Sequence, residues 1–226
     1  MAASVSLSEM ILGVRRRANI ENQTDFINDS ELTEYINAGC QDLYDKLVQA
    51  GGQPWFRSTY TFTTVAGTSD YALPSQFYRL ASVDINMGGG LFISALPYME
   101  NERNKFRWFY QGWFAGRPVY YRMIGSSMRF IPSPTGGYSV TLNYYPVFPK
   151  LSSGSDAFDG INGWEEYVVW LAVAACKAKS DEDPGFAMAE ISRLNARIEA
   201  LAAQRDAYGA ERINDVYGDD WSPWGY

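Results

Sequence analysis

Apolar residues along the chain recur first at helical spacing, then in alternation, then at helical spacing again. In SLSEMILGVRRR, Ser6 is followed three residues later by Glu9, the spacing of a capping box. Leu7, Met10, Ile11 and Val14 then mark one face of a short helix. NDSELTEYINAGCQDLYDKLVQAGG repeats the logic. Asn28 or Asp29 can cap, Glu31 sits in the first turn, and Leu32, Tyr35, Ile36, Cys40, Leu43, Leu47 and Val48 form a stripe. Gly51 and Gly52 would stop that helix. The pattern predicts an antiparallel pair.

From about Trp55 to Phe148 the period shortens to two. TYTFTTV, YALP, YRLASVDIN, GGLFIS, PVYYRMIG, SMRFIPSP and YSVTLNYYP are short runs separated by Gly, Pro and Ser. Such runs predict a small antiparallel sandwich or barrel. The stretch PYMENERNKFRWFYQGWF reads as a short helix and a long loop. Helical patterning returns in FDGINGWEEYVVWLAVAACKAKS, with Asn162 as cap and Glu165 in the first turn. This helix is apolar nearly all round, so its own domain or neighbouring copies must cover it. Asp183 and Pro184 start a last helix, with Ile191, Leu194, Ile198, Leu201 and Tyr208 at coiled-coil-like spacing and Gly209 at its end. The predicted class is α+β. Helix pairs in 1–54 and 160–208 form one four-helix bundle, an antiparallel β-sandwich or barrel-like domain at 55–159 is inserted between them, and 209–226 is an extended C-terminal arm.

Composition narrows the function. The chain has 226 residues, 46% hydrophobic and 20% charged, which is globular rather than disordered. No apolar run approaches the ~20 residues that span a bilayer. MAASVSLSEMILGVRRR lacks the basic-then-apolar order of a secretory signal. Two cysteines, Cys40 and Cys176, each lie in a helical pattern and suit small buried side chains in a reducing compartment. These features predict a soluble intracellular protein without membrane partners. Histidine is absent from the sequence. That removes Ser–His–Asp and Cys–His catalysis, HExxH sites and most zinc chemistry. Neither cofactor nor metal is expected.

Charge is distributed unevenly. Residues 1–102 hold 12 acids and 6 bases, residues 103–155 hold 7 bases and no acid, and residues 156–226 hold 14 acids and 6 bases. An acid-free middle between acidic flanks suggests faces of opposite sign, or merely a β region short of acids.

Three candidates for chemistry have simpler explanations. Gly88–Gly90 is followed by Leu91-Phe92-Ile93, a strand pattern without the lysine of a phosphate loop, so it reads as a hairpin turn. Glu165–Glu166 and Asp219–Asp220 are paired acids, but acids at a helix start answer the helix dipole. Arg103 to Arg122 interleaves bases with aromatics, as single-stranded nucleic-acid grooves do. A half-buried sheet, a sugar site or a subunit contact has the same composition. No catalytic residue is assigned.

After Gly209 the sequence carries four acids, Glu211, Asp215, Asp219 and Asp220, against one base, Arg212. Ile213, Val216, Tyr217, Trp221, Trp224 and Tyr226 are the apolar positions among them. Gly218, Pro223 and Gly225 break helices, so the segment is expected to be extended. Extended arms bind by laying main chain on a partner and dropping side chains into pockets. Folding back on its own bundle is the alternative.

Several stretches together resemble the head-to-tail adaptor (connector) proteins of tailed bacteriophages, particularly short-tailed ones. They are the D-S-E-L-x-x-Y-I-N-A-G-x-x-D-L pattern at Asp29–Leu43, TFTTVAGTSDYALPSQFYRLASVDI at Thr61–Ile85, and LNYYPVFPKLSSGSDAFDGINGWEEYVVWLAVA. The resemblance covers nearly the whole chain in order and implies a structural virion protein, not an enzyme. Such proteins form a ring, usually of twelve copies, at the head–tail junction. The ring joins the portal protein to a tail nozzle, tail-tube or tail-fibre protein and leaves a channel through which DNA passes without sequence-specific binding. On that model Trp164, Tyr167, Trp170 and Val173 would form the ring interface and the aromatic arm would dock on the portal. An aromatic-rich receptor- or carbohydrate-binding module of a phage tail is the competing reading.

Overall fold

A computed structural model describes residues 4–50, 56–99, 101, 117–159 and 163–202. The protein is mixed α and β, with antiparallel sheets and, among the described residues, four helices. It divides into two compact units. One joins the residues up to Cys40 to those from Gly154 onward, and the other is Gln41–Ser153.

The first unit begins with strand β1 (Ser4–Ser6), which runs into α1 (Leu7–Ala18). Ser6 Oγ accepts from the Glu9 amide while Glu9 Oε2 accepts from the Ser6 amide, so the capping box is complete. The next two helix amides bond back across the chain, Leu7 N to the Asp156 carbonyl at 2.8 Å and Ser8 N to the Gly154 carbonyl at 3.1 Å. These bonds satisfy donors that a helix start leaves open. Helix α2 (Asp29–Gln49) buries Leu32, Ile36, Cys40, Leu43, Leu47 and Val48, while Tyr35 stays half-buried. Asn28 Oδ1 accepts from the Glu31 amide at its start.

Among the described residues there are ten strands, one before α1 and nine in succession after α2. In the second unit, β2 (Ser58–Thr63), β4 (Phe77–Asn86), β5 (Phe92–Ser94) and β9 (Ser139–Pro146) form one sheet in the order β2-β9-β4-β5. Strands β3 (Asp70–Ala72), β6 (Leu96–Pro97), β7 (Tyr120–Ile124) and β8 (Ser127–Ile131) form another in the order β3-β8-β7-β6, in which only the β6–β7 pair is parallel. Alternation sends Val83, Ile85, Val140 and Leu142 of the first sheet and Met128 and Phe130 of the second into one core. Phe62 and Tyr71 stack at 5.0 Å against the same cluster. Gly88, Gly89 and Gly90 all have positive φ and turn β4 into β5, as the hairpin reading requires. The C-terminal half of α2 completes this unit. Tyr44 packs edge-on against Phe56 at 5.1 Å and donates to the Pro146 carbonyl at 2.7 Å, and Arg79 Nη1 donates to the Val48 carbonyl.

Strand β10 (Ala157–Asp159) returns the chain to the first unit by pairing antiparallel with β1. Helix α3 (Glu165–Lys179) packs between α1 and α4 (Gly185–Ala202). The close neighbour of α1 is therefore α3, not α2, and the predicted N-terminal pair gives way to a contact with a helix much later in the chain. The N-cap of α3 is Trp164, which makes no side-chain capping bond, while the predicted cap Asn162 lies outside the described residues. Asp183 Oδ1 accepts from the Gly185 amide at the start of α4.

Candidate interaction surfaces

Helix α3 carries the residues that the sequence marks for subunit contact. Trp164, Tyr167 and Val173 are 3%, 4% and 1% exposed, so nearly all of their apolar surface is already covered within the single chain. Glycine makes one such approach possible: Gly39 of α2 lies against the Val168 backbone. Trp170 differs. It is half-buried and forms the floor of an outward patch. The Arg17 guanidinium lies 5.6 Å from the Trp170 ring centroid, and Arg17 Nη2 also donates to Glu166 Oε1 at 2.7 Å. Phe186 of α4 meets Trp170 edge-on at 5.5 Å yet remains 71% exposed. Arg193 of α4 bonds Glu190 through Nε and Nη2 at 3.0 and 2.7 Å. That bond, followed by the field of Glu190, raises its pKa. Arginine, tryptophan and phenylalanine in a partly desolvated cluster are the residue types that dominate protein interfaces.

The start of α2 is acidic. Residues 19–34 contain Glu21, Asp25, Asp29, Glu31 and Glu34 and no base. Asp29 Oδ1 accepts from Arg15 Nε and Nη2 at 3.1 and 2.7 Å, and Arg15 also donates to the carbonyls of Ile20 and Ile27. The buried Arg15 therefore ties down the whole α1–α2 connection. Lys179 Nζ reaches from the end of α3 to both Glu31 carboxylate oxygens at 2.8 and 2.6 Å and to the Phe26 carbonyl, and lies 5.0 Å from the Phe26 ring centroid. Its bond to Glu31, followed by that from Tyr35, holds the Glu31 carboxyl below the usual carboxylate range. The same bond to Glu31 pushes the Tyr35 phenol up to about 12.

The β unit presents a polar face. Thr59, Thr61 and Thr63 of β2, Ser139, Thr141 and Asn143 of β9, and Ser82, Asp84 and Asn86 of β4 share the side opposite the core. They bond laterally: Asn143 Nδ2 donates to Ser82 Oγ and to Asp84 Oδ2 at 2.8 Å each, and Ser94 Oγ donates to Asp84 Oδ1 at 2.8 Å. On the other sheet Arg129, from the acid-free segment, forms a two-pronged bond with Asp70 at 2.7 and 2.9 Å. An open depression of about 280 Å³ beside the Gly88 turn is lined by Asn86, Met87, Gly88, Gly137, Tyr138 and Ser139. Only the tyrosine among these is ionisable, so the depression offers no acid–base pair.

Neither thiol is poised for chemistry. Burial pushes Cys40 up to about 12 and Cys176 to about 11, so both stay protonated near neutral pH. Among the described residues no group of three His, Cys, Asp or Glu could hold a metal ion, and no helix is long and apolar enough to cross a membrane. Glu165 and Glu166 open α3, where the helix dipole favours them. Arg103 to Gly116, Asp219–Asp220 and the arm residues Ile213, Val216, Tyr217, Trp221, Trp224 and Tyr226 lie outside the described residues. The outward patch on α1, α3 and α4 escaped sequence reasoning because Arg17 and Phe186 meet Trp170 only after folding. Compared with known proteins, the chain matches the family model of the SU10 adaptor protein over residues 5–215. No curated protein matches it.

Proposed function

The chain belongs to the SU10 adaptor protein family, a family of phage adaptors, and on that premise we propose that it forms a closed ring at the head–tail junction. The ring sits below the portal, joins it to the tail and leaves a channel for DNA during packaging and ejection. The observation that carries this reading is the family match along residues 5–215, which takes in both compact units. The protein's own residues support a structural role. Its charged side chains are spent on tying elements together, as Arg15 does for the α1–α2 connection and Asp84 for the polar sheet face. In this reading the four helices act as one bundle on the portal side, the β unit faces the tail, and the aromatic segment after Gly209 is the arm that docks on the portal. The ring contact on α3 falls on the Trp170 side, since Trp164, Tyr167 and Val173 have little surface left to give. Negative-stain microscopy of the purified chain mixed with purified portal rings tests the proposal. Rings capping one end of each portal are the expected outcome, and portals that stay bare at saturating protein would overturn it.

A further inference from the structure

We infer that neighbouring copies join their β units edge to edge, with β5 of one copy pairing antiparallel with β2 of the next. The inference rests on the ring reading above and names a seam for it. A closed ring requires a heterologous interface, one patch against a different patch on the next copy. In the order β2-β9-β4-β5 the two outer strands differ, and each has a single neighbouring strand among the described residues. The outer backbone groups of such strands are a template for a further strand. All three pairings in this sheet are antiparallel, so β2 and β5 run in opposite directions. Copies related by rotation about an axis along the strands then meet as an antiparallel pair, and the alternation continues across the seam. The other sheet lacks this property. Its β6–β7 pair is parallel, so β3 and β6 run the same way, and Pro97 removes a donor from β6. Charge fits the same pairing. No charged residue occurs from Ser58 to Ser69 or from Met87 to Met99, so joining these edges leaves no ion away from water. Edge strands are commonly protected by charge or proline, and β2 and β5 have neither. Apolar surface lies at both, with Phe92 of β5 65% exposed and Val65, just after β2, 61% exposed.

Thr61, Thr141, Asp84 and Ser94 are successive partners across the sheet and mark one row on its polar face. Cysteines at the two exposed ends of that row test the seam on the full chain, since Cys40 and Cys176 are buried. Within one copy the ends are three strand spacings apart, ~14 Å, beyond the reach of a short bismaleimide. Ser94→Cys, Thr61→Cys and the double variant are each assembled on purified portal rings. A monofunctional maleimide first checks that both thiols react in the free chain. The double variant should cross-link into a ladder of chains, an equal mixture of the single variants into dimers only, and either single variant not at all. Dimers from Thr61→Cys alone would replace the seam with a β2–β2 contact, and products containing portal protein would give the edge to the portal. Reactive thiols that yield no ladder on a formed ring would overturn the pairing and leave the ring intact. A wild-type chain that stays off the portal rings would remove the ring reading itself, and this seam with it.

Discussion

A Cβ at Gly39 would lie 3.1 Å from Val168 Cγ1 and 3.3 Å from Val168 Cα. The second distance matters more, because a side chain can turn aside while the backbone of a buried helix cannot. Alanine at 39 would recover ~1 kcal/mol of helix propensity and so mask part of the clash. Valine adds bulk and gains less propensity. Gly39→Val is therefore expected to lower stability by ~1–3 kcal/mol, read as a drop in the urea midpoint. Gly136, with nothing within 4 Å of the same construction, supplies the control: Gly136→Ala should leave the midpoint nearly unchanged. The apolar stripe of α2 was legible in the sequence because Leu32, Ile36 and Leu43 repeat with the helical period. That Gly39 touches another helix was not, since the contact joins positions far apart in the chain.

Helices α2 and α3 are fastened at one end by Lys179 and Glu31. A carboxyl whose pKa is depressed on folding adds stability above its unfolded value, and that stability is lost as pH falls through the folded value. Glu31 is such a group, lowered from 4.5 first by its bond to Lys179. Glu31→Gln is thus expected to lower Tm at pH 7, with the gap from wild type closing as the solution is taken below pH 4.5. The pair is solvated, so salt should narrow the gap at neutral pH as well. A gap that persists in acid would assign the effect to Tyr35 or to packing. At this scale the sequence displayed what is local. The Ser6–Glu9 box, the Gly88–Gly90 turn and the strands from β2 to β9 with clear alternation all depend on near neighbours. Strands β1, β6 and β10 were hidden because two or three residues carry no measurable period, and β1 finds β10 only across most of the chain. The placement of α1 against α3 was hidden for the same reason.

For the molecule as a whole, the aromatic arm gives the prediction that separates attachment from folding. Buried Trp or Tyr anchors typically contribute ~2 kcal/mol or more each, and repetition around a ring multiplies the effect through avidity. Deleting Asp215–Tyr226 is expected to leave the monomer's Tm nearly unchanged and to abolish portal binding in a pull-down. A large fall in Tm would return those aromatics to the core of their own domain, and normal portal binding would end the arm proposal. The division of the chain at Cys40 and Gly154 bears on how such a protein comes into being. Gln41–Ser153 is one continuous stretch, whereas the helical unit draws on residues from both sides of it. On the ribosome, α1 and the start of α2 emerge first but lack α3, the helix against which α1 packs. The β unit can close as soon as Ser153 has left the exit tunnel, and the helical unit must wait for α3 and α4 to be made. Synthesis therefore imposes an order, β unit first and helices last, and the apolar stripe of α1 is the surface that waits unprotected in the meantime.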